Sequence, residues 1–217
     1  MAGSTEPRRS FRDRRLLQIL IVVYAAVWII TAIQPVDRSD WFIENLLVFV
    51  TVPVLALTYR RAPLSDTSYL LLGVFLILHA IGAHYTYAKV PAGDWIKEIF
   101  DLERNHFDRL VHGSFGLLLL IPVRELLMLM TPVRGFWSYT LPVTVIVSFS
   151  GLFEIVEAIV AQIVSPELGT AYLGTQGDEW DAQKDMAAAV AGAIFSLVLL
   201  AAIAALRGRK VPRRSTH

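Results

Sequence analysis

Six long apolar segments constrain the fold of this chain more than any other feature of its 217 residues. An α-helix rises about 1.5 Å per residue, so about 20 apolar residues carry a helix across the hydrocarbon core of a bilayer. The segments have roughly this length and lie at about residues 16–33, 41–58, 68–87, 107–130, 138–163 and 184–206. The sequence therefore predicts an all-α fold, a polytopic membrane bundle of about six transmembrane helices.

The length of these segments also predicts the domain organisation. They leave no room for a separate soluble domain, so we expect a basic N-terminal segment over residues 1–15, a transmembrane domain over 16–206 and a basic tail over 207–217. The arginine-rich start of the chain resembles the basic region of a signal peptide. The first apolar run is too long for one and has no small-residue cleavage site, so we expect this span to be retained.

Basic residues predict the orientation of the bundle, because Lys and Arg gather in loops that remain cytoplasmic. With six spans, one side carries the N-terminal arginines, Arg60, Arg61, Arg134 and the tail from Arg207. The loops on the other side are acidic or mixed in charge. Both termini are therefore expected in the cytoplasm, with the acidic loops facing outward.

Composition excludes some classes of function. A formal net charge of +1 is too small to indicate nucleic-acid binding, so we expect no nucleic-acid partner. The chain has no Cys, which excludes disulfides and thiolate metal sites. A metal site would therefore use His and carboxylate ligands.

Ionisable side chains near the outer ends of the apolar segments mark a candidate functional site. A charge in hydrocarbon costs several kcal/mol unless it is paired, hydrated or bound to an ion. Glu44 and His84 belong to this set but are not its centre. The candidate catalytic and metal-binding residues are His112, Glu154, Glu157, Asp181 and Asp185, and the surrounding candidates are His79, Asp108, Arg109, Asp178 and Lys184.

The spacing of these residues supports a site without deciding its chemistry. Asp108 and His112 are four residues apart on one helix face, where a carboxylate can fix the imidazole tautomer. Glu154 and Glu157 also share a face, and two close carboxyl groups in low dielectric need a proton or a cation between them. The alternative is that each group forms a structural pair with another helix, for example with Arg109 or Lys184.

Small residues at the start of the last apolar segment predict close helix packing. Residues 187–193 read Ala-Ala-Ala-Val-Ala-Gly-Ala. We expect this face to pack against the helix at 138–163. Such packing would bring Asp181 and Asp185 close to Glu154 and Glu157.

The stretch from Tyr172 to Met186, YLGTQGDEWDAQKDM, together with the earlier HGSFG at 112–116, resembles the YjdF family of bacterial inner-membrane proteins. The resemblance covers nearly the whole chain. It implies a multi-pass protein of the bacterial inner membrane and implies no activity, because the function of that family is unknown.

A more distant likeness is to VanZ-like membrane proteins, which are associated with envelope phenotypes. Their pattern matches Asp108, Arg109 and His112, then Glu154, then Asp181 and Asp185. The chain departs from it by carrying Glu157 in place of a Gln and Asp185 in place of an Asn. These extra acids favour a cation or a proton at the site.

Three functions remain open on the sequence alone. The first is an enzyme, a metal-dependent hydrolase or transferase acting on a lipid or envelope intermediate. A divalent metal would be held by the five central candidates, although no strong ligand spacing such as His-x-x-x-His occurs. The second is a proton-coupled carrier or small-molecule binding protein, and the third is a structural membrane protein whose charges lock the helices together.

Overall fold

The computed structural model describes residues 11–209, in which helices joined by turns and loops are the regular structure and no strand occurs. A short 3-10 turn at Phe11–Asp13 precedes eight α-helices. They are α1 (Arg15–Thr31), α2 (Arg38–Thr58), α3 (Asp66–His84), α4 (Pro91–Ile99), α5 (Phe107–Met130), α6 (Trp137–Ile163), α7 (Pro166–Leu173) and α8 (Asp181–Arg209). The expected segments 1–15 and 207–217 lie mostly outside the described residues.

Six of these helices correspond to the six predicted spans. α2, α3, α5, α6 and α8 are long and apolar enough to cross a membrane, and α1 is a shorter apolar helix of 17 residues. The all-α, polytopic prediction is therefore confirmed, with helix ends that differ from the expected ones by a few residues. The short helices α4 and α7, which the sequence analysis did not predict, lie in the connections after α3 and α6.

Contacts between connecting segments show that successive spans run in opposite directions. At one end, Arg14 donates a hydrogen bond to the Leu64 carbonyl (2.6 Å), and the Glu125 carboxylate accepts one from the Ser65 backbone N–H (2.6 Å). At the other end, the backbone N–H of Val36 donates to the His84 carbonyl (2.9 Å). We call this second end, where α2, α5 and α8 begin, the site end.

α5 lies at the centre of the bundle, between α3, α6 and α8. A Cβ atom added at Gly192 of α8 would stand 2.1 Å from the Gly113 carbonyl oxygen of α5, so the two backbones are in direct contact. α8 also packs on α6 as expected, but its small-residue face makes its closest approach to α5. The reason is that Gly113 and Gly116 give α5 a smooth face that complements the alanines of α8.

α2 has a peripheral position that shapes the interior. It packs on α3 and on the short α7, and among the described helices it has no extensive contact with α6. Asp37 begins α2 by accepting hydrogen bonds from the backbone N–H groups of Ser39 (2.8 Å) and Asp40 (3.0 Å), the usual role of an N-cap carboxylate. The space between α2 and α6 is therefore open along part of their length.

Candidate functional site

An ionic cluster of five side chains closes the site end of α5 and α8. Arg104 contacts the Asp181 carboxylate closely, and Arg109 contacts both Asp178 and, at 3.3 Å, Asp181. Lys184 reaches Asp178 at 2.7 Å from the exposed side. The ionic cluster consists of Arg104, Arg109, Asp178, Asp181 and Lys184.

The ionic cluster is anchored to the loop between α7 and α8. Arg104 also donates to the Thr175 carbonyl (3.2 Å). Next to it, the Asn105 backbone N–H donates to the Gln176 side-chain oxygen (3.0 Å), and the Gln176 amide donates back to the Asn105 carbonyl (2.9 Å). These bonds fix Asp181 against the start of α5, although the partners are more than 70 residues apart in sequence.

Hydrogen bonding keeps Asp178 ionised. The hydrogen bond from Lys184 is the largest cause that holds the pKa of this loop carboxyl well below its usual range. Desolvation opposes it, and the hydrogen bonds from the Trp180 backbone and from Arg109 add to the lowering. Asp178 and Lys184 therefore belong to the outer, structural part of the cluster. Neither lies among the residues that surround His112.

His112 is the centre of a second group of side chains, deeper in the bundle. Its Nε2 lies 3.6 Å from an Asp108 oxygen on the same helix, and its Nδ1 lies 3.6 Å from Glu154 Oε1 on α6. Oxygens of Asp108, Asp181 and Asp185 lie within 4.8 Å of one another. We call Asp108, His112, Glu154 and Asp185 the His112 cluster.

Two carboxylate oxygens of the His112 cluster have no hydrogen-bond partner among the described residues. They are Glu154 Oε1 and Asp185 Oδ1, and the Asp185 residue is only 2% exposed. The nearest cation to Asp185 is the Arg109 guanidinium, whose Nε is 3.9 Å away and too distant to donate. A buried carboxylate without a partner is costly, so this arrangement favours a bound cation or a proton.

The central candidates from the sequence thus separate into three positions. Glu154 and Asp185 lie around His112, together with Asp108, which the sequence analysis placed only in the surrounding set. Asp181 touches both groups but is already engaged by Arg104 and Arg109. Glu157 lies beside Glu154 and lines the cavity that His112 also borders, but no direct contact joins it to His112 in the part of the chain that the structure describes.

The cavity has a volume of about 450 Å³ and lies between α2, α3, α5 and α6. Apolar side chains form most of its wall. Polar groups occupy the site end, where Glu44, Asp108, His112 and Glu157 contribute to the lining. The His112 cluster therefore borders the cavity.

His79 has a positioning role at the side of the cavity. Its Nε2 lies 3.2 Å from the Glu44 carbonyl oxygen, which can only accept, so this nitrogen carries the proton. Nδ1 is then the acceptor for the Tyr87 hydroxyl at 2.5 Å. His79 thus ties α2, α3 and the following loop together.

Sequence reasoning missed Arg104, Asn105 and Gln176 as parts of the site. Arg104 lies in a loop of mixed charge, where a basic residue gives no particular signal. Gln176 lies in the stretch that carries the family resemblance, but nothing in the sequence indicates that its side chain pairs with the backbone of Asn105. Only the fold places these residues together.

Comparisons with known proteins identify the family. Residues 16–205 match the family model described as "Predicted membrane protein (DUF2238)". The chain is 34% identical over 187 residues to the inner membrane protein YjdF of Escherichia coli strain K12. The aligned region covers 86% of this chain and 89% of that protein. No solved structure matches the chain.

These matches agree with the sequence resemblance to YjdF and lend no support to the more distant likeness to VanZ-like proteins. They also fit the helical architecture, in which five helices are long and apolar enough to cross a bilayer and α1 is a shorter apolar helix. The chain is a multi-pass protein of the bacterial inner membrane. It belongs to the DUF2238 family of membrane proteins, together with YjdF.

Proposed function

We propose that this protein is a membrane-embedded metal-dependent hydrolase or transferase that acts on an ester or phosphoester of a lipid. The observation that carries the proposal is the pair of unpartnered buried oxygens, Glu154 Oε1 and Asp185 Oδ1, in the group around His112. A divalent cation at this position would offset both charges at once. Without such a cation or a proton, the two buried charges would be costly.

The residues of the His112 cluster fit a hard divalent cation. Asp108, Glu154 and Asp185 offer carboxylate oxygens, and His112 offers an imidazole nitrogen, a ligand set that suits Mg²⁺, Mn²⁺ or Zn²⁺. Asp181 is less suited, since Arg104 and Arg109 already neutralise it. In this account Glu157 also leaves the metal-binding set proposed from the sequence.

The side chains around the cluster would divide the chemical work. A bound cation supplies Lewis acidity, which lowers the pKa of a water molecule and polarises the ester. One carboxylate of the cluster would accept the proton of the attacking water and pass it to the leaving oxygen as the bond of that oxygen to carbon or phosphorus breaks. Arg109, which faces Asp185 at 3.9 Å, is placed to compensate negative charge that develops nearby.

Access from the bilayer supports a lipid as the substrate. Several residues that line the cavity are also exposed on the outside of the bundle, where the protein meets lipid. They lie on the facing sides of α2 and α6, which do not pack extensively on each other. The residues with this double exposure are Leu46, Val50, Phe149, Leu152 and Val156.

A second candidate is a proton-coupled carrier or binding protein. It is favoured by Glu44, whose Oε2 is buried at the cavity without a hydrogen-bond partner among the described residues. A proton would remove this charge as well as a metal would. Carriers commonly contain internal repeats, however, and no convincing repeat relates the two halves of this sequence.

Turnover can be tested with the purified full-length protein. Incubation with bacterial lipid extract and Mn²⁺ or Zn²⁺, followed by lipid mass spectrometry, should reveal a product that is absent with chelator and with the His112→Ala variant. The matched control is Glu98→Gln, a change on the exposed surface of α4. If no lipid is converted under any metal condition, the enzyme proposal fails and the carrier becomes the better account.

A further inference from the structure

The wall of the cavity has an unusual charge composition. It contains three carboxyl groups, those of Glu44, Asp108 and Glu157, and no Lys or Arg from the part of the chain that the structure describes. The arginines of the ionic cluster lie outside the wall and are directed at Asp178 and Asp181. In the metal-free protein, a ligand in this space would therefore meet no Lys or Arg side chain of the described residues and three carboxyl groups.

Glu44 is the clearest sign of a ligand. The residue is only 4% exposed, and its Oε2 has no hydrogen-bond partner among residues 11–209. Its backbone carbonyl is held by His79, so the position of this turn of α2 is fixed. A carboxylate in this setting requires a positive partner or a proton.

Aromatic rings surround the same space. Four phenylalanines, Phe75, Phe115, Phe149 and Phe153, line the cavity together with Tyr87 and Tyr172. Ring faces attract cations within about 6 Å, and alkyl-ammonium groups are a common partner of such rings. The combination of carboxylates and rings is suited to an ammonium group with an apolar body.

The apolar part of the cavity extends along the axis of α2, and therefore across the depth of a leaflet. On α2 its lining extends from Ile43 to Thr51, and these eight residue steps cover about 12 Å along the helix axis. This is most of the hydrocarbon depth of one leaflet, about 15 Å. Because the walls formed by α2 and α6 also face lipid, a chain could lie between them without leaving the membrane.

We propose that the cavity binds an ammonium-bearing amphiphile, with its positive group beside Glu44 and Glu157 and its apolar chain between α2 and α6. Such an amphiphile would be the substrate class of the proposed enzyme. The claim that the bound molecule is converted rests on the proposed function. Binding itself depends on the cavity. In the metal-free protein, a purely anionic lipid would place its charge beside three carboxyl groups and is disfavoured.

Binding can be measured by native mass spectrometry of the full-length protein in a neutral maltoside detergent with chelator present. The probes are phosphatidylethanolamine and dodecyltrimethylammonium, which carry ammonium groups, and phosphatidylglycerol, which does not. The ammonium probes should bind with one molecule per chain and compete with each other, whereas phosphatidylglycerol should bind much more weakly. Stronger binding of phosphatidylethanolamine would identify a membrane lipid as the natural ligand, and stronger binding of dodecyltrimethylammonium would identify a free amphiphile.

Variants decide whether the cavity is responsible. Glu44→Gln and Glu157→Gln should each weaken ammonium binding at least about tenfold, since each removes a buried charge partner. Glu98→Gln should leave it unchanged. Thr51→Phe fills the apolar part of the cavity, leaves the carboxyl groups intact and should also abolish binding. This variant tests the cavity even if the Gln variants do not fold.

Equal binding of phosphatidylglycerol, or unchanged binding in Thr51→Phe, would overturn the ammonium proposal. Because chelator is present throughout, this outcome says nothing against the metal site. Conversely, ammonium binding without conversion of any lipid would leave this inference standing and refute the enzyme.

Discussion

Gly116 of α5 lies directly against Ala189 of α8, so that a Cβ atom added at Gly116 would stand 1.8 Å from the Ala189 carbonyl oxygen. The obstacle is backbone and cannot rotate away. This contact sets the spacing of the two helices that carry His112 on one side and Asp181 and Asp185 on the other.

Gly116→Ala should therefore destabilise the protein by about 1–3 kcal/mol or more, because α8 has to move to admit one methyl group. Thermal unfolding in detergent measures the effect. Gly73→Ala on α3 is the matched control, since its Cβ would meet only a Leu20 side-chain atom at 3.6 Å. Equal unfolding temperatures for the two variants would contradict this packing.

Arg104 is expected to stabilise the fold, because it is only 6% exposed and contacts the buried Asp181. Arg104→Gln leaves that carboxylate with Arg109 alone and should cost about 3 kcal/mol, the lower part of the range for a broken buried pair. Arg104→Lys should lose less. Lys97→Gln on α4 controls for the removal of a positive charge, and a similar loss in that variant would argue against the ionic cluster.

Asp178 predicts a dependence of stability on pH. Its pKa is lowered in the folded protein, so its stabilising contribution is complete above the ordinary Asp value of about 4 and disappears as the pH falls through the lower folded value. The difference in unfolding temperature between wild type and Asp178→Asn should be constant from pH 7 to 5 and shrink below pH 4. A difference that grows on acidification would show that the Asp178 contacts are wrong.

The fold was largely accessible from the sequence, because a bilayer requires apolar segments of a defined length. α4 and α7 were not, because each is shorter than a span and lies outside the apolar runs. At the site, His112 and Asp185 stood out as charges in hydrocarbon. The role of Glu44 was hidden because nothing in the sequence indicates that α2 lies apart from α6.

Orientation in the membrane makes a prediction of its own. The end opposite the site end carries Arg60, Arg61 and Arg134. Because basic loops remain cytoplasmic, we expect this end in the cytoplasm. Reporter fusions at residue 95 and at the C-terminus should give outside and inside signals, respectively. An outside C-terminus would place the His112 cluster near the inner leaflet and exclude an outer-leaflet substrate.

Metal content is the most direct test of the central claim. Elemental analysis of the purified protein should find about one divalent ion per chain, and less than about a tenth of that in Glu154→Gln or Asp185→Asn, which each remove a ligand. Chelator should lower the unfolding temperature of the wild type but not of these variants, because a ligand of the folded state stabilises it. Glu98→Gln should behave as the wild type. Wild-type protein that contains no stoichiometric metal, and whose unfolding temperature chelator and added Mn²⁺ or Zn²⁺ leave unchanged, would contradict the metal site and with it the metal-dependent enzyme.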